Sequence, residues 1–305
     1  MTDRAPSQTT TGAPHPQRYN PTVTAALWAV GAMLNFTVMI VLIRYVSKSL
    51  SAIDVAFYRS AIGVALMLPF VFRGGIAAGL TSLKTKRPWL HSLRGLLTYC
   101  ALVTYVYAVA NMKLVDAIAL NATIPLWTVV LAALILSETV GPRRWLVTVL
   151  GFGGALIILR PGFAEIGLPA IAALVSAAFY GATSIVVKSL SRTETPQRIV
   201  FYTNLSLTVI AAAPAIIFWN PPTWAQVPFV IGIGVSGTLA HLCLTRAYMN
   251  ADASFVAPFD FIRLVLVTIA GYALFGEKSS VWVWIGALLV MSSTIYITRA
   301  EAKRR

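Results

Sequence analysis

Charge is what this chain has least of. Ten acidic and 24 basic residues are spread over 305 positions, so 11% of the chain is charged, against roughly a quarter in a soluble domain. The surface of one or two water-borne domains could not be covered with so little. Histidine is scarcer still: His15, His91 and His241 are scattered, and no H-E-x-x-H occurs, which excludes a histidine-based metal cluster. The two cysteines, Cys100 and Cys243, each sit inside an apolar run and read as small apolar residues rather than a disulfide. The stretch GYALFGEKS, Gly271 to Ser279, comes near a phosphate loop but has Glu277 where the lysine belongs. No segment is left over for a nucleotide-binding domain, which excludes ATP-driven transport within the chain. The basic residues stand singly between apolar runs, with no basic stripe interleaved with aromatics, so nucleic acid is not the partner. No reactive constellation marks an enzyme, and no cofactor is called for.

What the chain does have is apolar length: 58% of its residues are hydrophobic. Residues 1–20 are polar, rich in Thr, Pro and Gln, and are expected to be a disordered tail. The apolar run that follows is long enough to span and lacks a cleavage signature, so it reads as a first transmembrane helix and not a signal peptide. A helix needs about 20 apolar residues to cross the hydrocarbon, and on that ruler ten spans are expected. They are Thr22–Ile43, Ala52–Phe72, Leu90–Val109, Leu114–Leu136, Trp145–Leu159, Leu168–Val187, Ile199–Phe218, Val227–Thr245, Ser254–Phe275 and Val281–Ile297. Arg73 to Pro88 reads as the one real loop. With the N-terminus placed in the cytoplasm, 16 of the Lys and Arg residues fall on the inner side and five on the outer. That bias orients the chain with both termini cytoplasmic, including the basic tail 299–305. Trp89, Trp145, Trp219, Trp282 and Trp284 fall near span ends as interface anchors.

The chain also repeats itself. Tyr107 to Glu138 and Arg246 to Glu277 align at a constant offset: Ala108 with Ala247, Asn111 with Asn250, Glu138 with Glu277, then Trp145 with Trp284. Each copy breaks its apolar run with a proline, Pro125 or Pro258. Phe57-Tyr58 likewise matches Phe201-Tyr202. Two halves of five spans, 21–160 and 161–298, are therefore expected. Five is odd, so the second half enters the membrane inverted, and the site is expected near the midplane between the halves.

These features resemble the EamA family of the drug/metabolite transporter superfamily over nearly the whole chain, with closest likeness to the YddG-type exporters of aromatic and other neutral amino acids. The resemblance implies an all-α integral membrane fold: ten helices in two inverted repeats, forming a basket around a central cavity lined by spans 1, 3, 4, 6, 8 and 9. It also implies a secondary exporter of amino acids in the bacterial inner membrane, working by alternating access; the sequence leaves the oligomeric state open, with a monomer among the options. Export of drugs or other metabolites, such as sugars or nucleotide-like compounds, stands as the alternative. A channel or polytopic enzyme is the remote one.

Candidate site residues follow from polarity where it is expensive. Asp260 and Arg263, three apart on one helical face, would bind the two charges of a zwitterion or pair structurally with each other or with Asp54, Arg59 or Arg94. His241 stands mid-span in the eighth span. Polar stripes add Tyr99 and Tyr105 beside His91, Arg94 and Thr98, then Asn121, Tyr180, and Asn35 with Trp28. Each stripe alone could be helix–helix glue; together they suggest a shared wet interior. Pro125 and Pro258 are candidate hinges. Glu138 and Glu277 are read as structural acids, each accepting from the first amides of the following helix.

Overall fold

The computed structural model describes residues 21–135, 141–159, 167–190, 193–218, 220–250, 256 and 259–302. Among them the chain forms only helices. These are α1 (Pro21–Val46), α2 (Ala52–Val71), α3 (Ile76–Leu83), α4 (Pro88–Asn111), α5 (Leu114–Asn121), α6 (Ile124–Ile135), α7 (Pro142–Leu159), α8 (Leu168–Leu190), α9 (Pro196–Ile217), α10 (Val227–Asn250), α11 (Asp260–Phe275) and α12 (Val281–Ala302). Seven helical stretches are long and apolar enough to cross a bilayer, and Trp145–Leu159, Ile262–Phe275 and Val281–Ile297 are shorter apolar helices. In hydrocarbon every backbone amide must be satisfied within its own segment, and helices do that. Large apolar side chains such as Leu27, Phe70, Leu134, Ile217 and Leu274 are exposed, as lipid contact requires. The chain is a multi-pass membrane protein.

Two expectations about the elements are corrected. The stretch Arg73 to Pro88 is not a plain loop, because it contains α3. The fourth span is two helices, α5 and α6, broken at Ala122–Thr123. Thr123 turns its hydroxyl back onto the Leu120 carbonyl at 2.7 Å, adding to the backbone N–H of Thr123 that the same carbonyl accepts at 3.1 Å. Pro125 therefore lies in the first turn of α6, where its missing N–H costs nothing.

Packing pairs the helices as α1 with α10, α4 with α8, α2 with α9 and α7 with α12. The α7–α12 crossing is backbone against backbone. A Cβ on Gly154 would come 2.7 Å from the Gly286 carbonyl oxygen, and one on Gly286 would come 2.4 Å from that of Gly154. Between membrane helices, where burial from water drives nothing, such close approach supplies the van der Waals contact.

Candidate functional site

Three polar clusters sit along the bundle, and they differ in whether their charges are satisfied. The first joins α1, α4, α5 and α11 at the end of the bundle that holds Arg44. Arg44 donates to the Val109 and Ala110 carbonyls at the end of α4 and to the Glu277 carboxylate at 3.0 Å. The other oxygen of Glu277 accepts from the Leu114 amide, the first residue of α5, at 2.7 Å. Lys113 donates to the Lys278 carbonyl at 3.0 Å. Gly276, at φ +65°, turns the chain out of α11 so that Glu277 can reach across. The expected partner of Glu277 is thus corrected: the amide belongs to α5, across the bundle, and not to the helix that follows Glu277.

The second cluster ties the α3–α4 connection to the α8–α9 connection. Glu194 accepts from Thr85 at 2.6 Å and from Arg198 at 2.5 Å. Arg198 also donates to the Ser82 carbonyl at 2.6 Å, and Tyr202 to the Leu83 carbonyl at 2.7 Å. Burial alone would raise the Glu194 pKa; the hydrogen bonds from Thr85 and Arg198, with the Arg198 charge, overcome this and hold it below its ordinary value. His91 stacks on Tyr202 and approaches Glu194 at 4.0 Å. Arg94 donates to the Ile199 carbonyl and the Thr203 hydroxyl. The stripe His91, Arg94, Thr98 is therefore mostly turned toward α9.

The third cluster lies in the middle. Arg59 of α2 is 5% exposed, and its Nε has no hydrogen-bond partner. Its field and that of Arg263 reach the Tyr180 phenol on α8. Arg263 also acts on Tyr105 of α4, whose buried hydroxyl has no partner. Phe36 of α1 links the rest: His241 of α10 meets it edge-on at 5.3 Å, and the Arg263 guanidinium stands 5.6 Å from its ring centre. Tyr180 and His241 are partly buried. Arg59, Tyr105, Tyr180, His241 and Arg263 thus converge from five helices.

Other candidates lie elsewhere. Asn121 is buried, with its amide 3.4 Å from the Ser176 hydroxyl, which donates to the Ala101 carbonyl; it joins α5 to α8 and α4. Asn35 donates to the Gly31 carbonyl of its own helix. Trp28 lies under the Arg246 guanidinium at 4.6 Å. Tyr99 is half-buried against the apolar core. Asp260 opens α11, but its side chain, like Pro258 and Glu138, lies outside the described residues. Asp54 caps α2 through Ser51 and is not an ion-pair partner of Arg59. Arg59 itself, named from sequence only as a structural partner, joins the central group. The cost of a charge in an apolar run flags it as strongly as it flags Arg263. The sites' helices also shift from those expected: α2 contributes, while Asn121 of the fourth span points elsewhere. A separate crevice of about 480 Å³ between α4, α6 and α8, lined by Leu97, Trp127, Leu174 and Phe179 among others, is almost wholly apolar and suits a lipid chain better than a polar solute.

Comparison with known proteins gives a consistent family. The model of the EamA-like transporter family matches residues 23–160 and again 167–299. A riboflavin transporter of Rhizobium johnstonii is 35% identical over 92% of this chain and 93% of its own. An S-adenosylmethionine uptake transporter of Rickettsia bellii is 28% identical over 90% of this chain and 94% of its own. The pseudopaline exporter of Pseudomonas aeruginosa is 30% identical over 90% and 96%. A solved crystal structure superposes with a TM-score of 0.63 over 92% of this chain and 98% of that one, at 17% identity, a likeness of fold.

Proposed function

Since the chain belongs to the EamA-like transporter family, we propose that it is a secondary carrier for a small organic metabolite of the flavin, nucleoside or opine kind. The central group of Arg59, Tyr105, Tyr180, His241 and Arg263 carries this reading: polar and aromatic side chains converge in the middle of an apolar bundle, drawn from both sequence halves. The relatives' names (riboflavin, S-adenosylmethionine, pseudopaline) favour the metabolite alternative over the amino acid export first expected. They include both uptake and export, so one scaffold serves either direction.

The carrier works by alternating access of two inverted five-helix halves in the inner membrane, with both termini cytoplasmic. The double family match supports the two halves. So does the packing: the first span lies on the eighth as the third lies on the sixth, and the second lies on the seventh and the fifth on the tenth, as a twofold relation between halves requires. The break before Pro125 supplies a bend in the fourth span.

The test is uptake into proteoliposomes of labelled riboflavin, S-adenosylmethionine and phenylalanine. Saturable flux of riboflavin or S-adenosylmethionine, with none of phenylalanine, is expected. Phenylalanine flux without the other two would return the reading to amino acid export, and non-saturating flux would make it a channel.

A further inference from the structure

We propose that Arg59 is the anion receptor of the central site, and that the solute carried bears an oxyanion, a carboxylate or a phosphate, which seats on its guanidinium. This rests on the carrier reading above and narrows its substrate class.

The argument is one of contrast. Three other arginines of this bundle are supplied with acceptors. Arg44 has Glu277 and two carbonyls. Arg94 has the Ile199 carbonyl and Thr203. Arg198 has Glu194 and the Ser82 carbonyl. Arg59 is as deeply buried as any of them, at 5% exposure; its Nε, like that of Arg94, has no partner, but it lacks the carbonyl and hydroxyl acceptors that Arg94 keeps, and no carboxylate pairs with it among the described residues. The acid nearest in its helix, Asp54, is held by the Ser51 side chain and backbone at 2.7 and 3.1 Å. A permanently charged group in a low-dielectric site requires an opposite charge or acceptors. Where the described residues supply none, a ligand can.

The surroundings share this bias toward donors. The Tyr105 hydroxyl is buried without a partner, and Tyr180 sits in the field of both Arg59 and Arg263. A planar guanidinium matches the two oxygens of a carboxylate or phosphate side by side, which a neutral carbonyl cannot equal. The seat is also shaped. Gly237 on α10 leaves the room that Arg59 fills: a Cβ there would meet Nε at 2.8 Å and the Met39 sulfur at 3.0 Å. Arg59 belongs to the first sequence half and Gly237 to the second, so the seat for the anion spans both.

The test uses full-length protein in nanodiscs with two matched pairs of probes: nicotinate against nicotinamide, and flavin mononucleotide against riboflavin. Thermal stabilisation is titrated for each, and riboflavin flux is measured in parallel in proteoliposomes. Wild type should favour the acid of at least one pair by about tenfold in apparent affinity; which pair responds tells carboxylate from phosphate. Arg59→Gln should lose that preference while melting, without ligand, no lower than wild type, because it removes a charge that no described residue compensates. Arg59→Lys should keep part of it. If Arg59→Gln does not fold, Gly237→Ala, which displaces the guanidinium and keeps its charge, should lower the preference severalfold. Equal response to both members of each pair in wild type, including none to either, overturns the inference; so does an unchanged preference in folded Arg59→Gln. Riboflavin flux alongside equal responses would leave the carrier reading standing and remove only the anion receptor.

Discussion

At the scale of single residues, Glu277 and Glu194 show how differently two acids can be held. Glu277 combines an ion pair with Arg44 and a backbone acceptor role toward α5. Replacing it by Ala leaves the Leu114 amide without its acceptor and the partly buried Arg44 guanidinium with only the Val109 and Ala110 carbonyls. The expected loss is about 1–3 kcal/mol, read as a lower melting temperature in detergent, and Glu277→Gln should recover part of it through the amide contact. Glu194 is a pH device by the sign of its shift. Its carboxyl is held below its ordinary value by Thr85 and Arg198 against the opposing effect of burial. A depressed acid contributes stability that is complete above the unfolded value, and that is lost as pH falls through the carboxylate range toward the folded one. Melting temperature measured from pH 7 down to pH 3 should therefore drop more steeply in wild type than in Glu194→Gln. Parallel curves would show that the Thr85–Glu194–Arg198 contacts contribute no net stability.

At the scale of elements, the α7–α12 crossing depends on two glycines in mutual contact, Gly154 and Gly286. Gly286→Leu or Gly154→Leu forces the helices apart. The cost should reach about 1–3 kcal/mol or more, as for overpacked interiors, seen as lower folded yield and earlier melting. Gly153, next to Gly154, would meet nothing within 4 Å with an added Cβ, so Gly153→Ala serves as the tolerated control. If all three variants behave alike, the close crossing is not what holds the pair. The α5–α6 break is a different kind of feature. No helix breaker stands at Ala122 or Thr123, and Pro125 lies inside the first turn of the next helix, so the proline marks the neighbourhood of the break without occupying it.

At the scale of the whole molecule, the two outer clusters close opposite ends of the α4 region. One runs from Arg44 to Glu277; the other runs from Thr85 through Glu194 to Arg198. The alternating access proposed above would require that one such cluster open while the other holds. Lys113 and Lys278 touch across the Arg44 end. Cysteines at both, in a background lacking Cys100 and Cys243, should be joined by a bifunctional thiol reagent. The bridge should stop flux by about tenfold or more, and a reagent cleavable by reduction should restore it. Undiminished flux in the bridged protein would show that this end does not need to open.

Much of this protein was legible without coordinates, for a physical reason. A bilayer tolerates so few charges that their scarcity and spacing give the spans, and the edges of the long ones, such as Ala52, Leu114 and Leu168, fall where helices begin. Internal likeness likewise gave two segments, which the family match covers separately. The short α3 was not legible, because IAAGLTSL is too brief to span and carries no terminal signal. What the tertiary structure alone decided is how each helix is rotated about its axis. Periodicity says that His91, Arg94 and Thr98 share a face with Tyr105, but only packing shows the first two turned toward α9 and Tyr105 toward Arg263. Arg44 and Arg59 look equivalent in sequence, one arginine each in or beside an apolar run. Packing gave Arg44 a carboxylate more than 200 residues away and gave Arg59 none among the described residues, because the acceptors that satisfy a buried charge come from other helices.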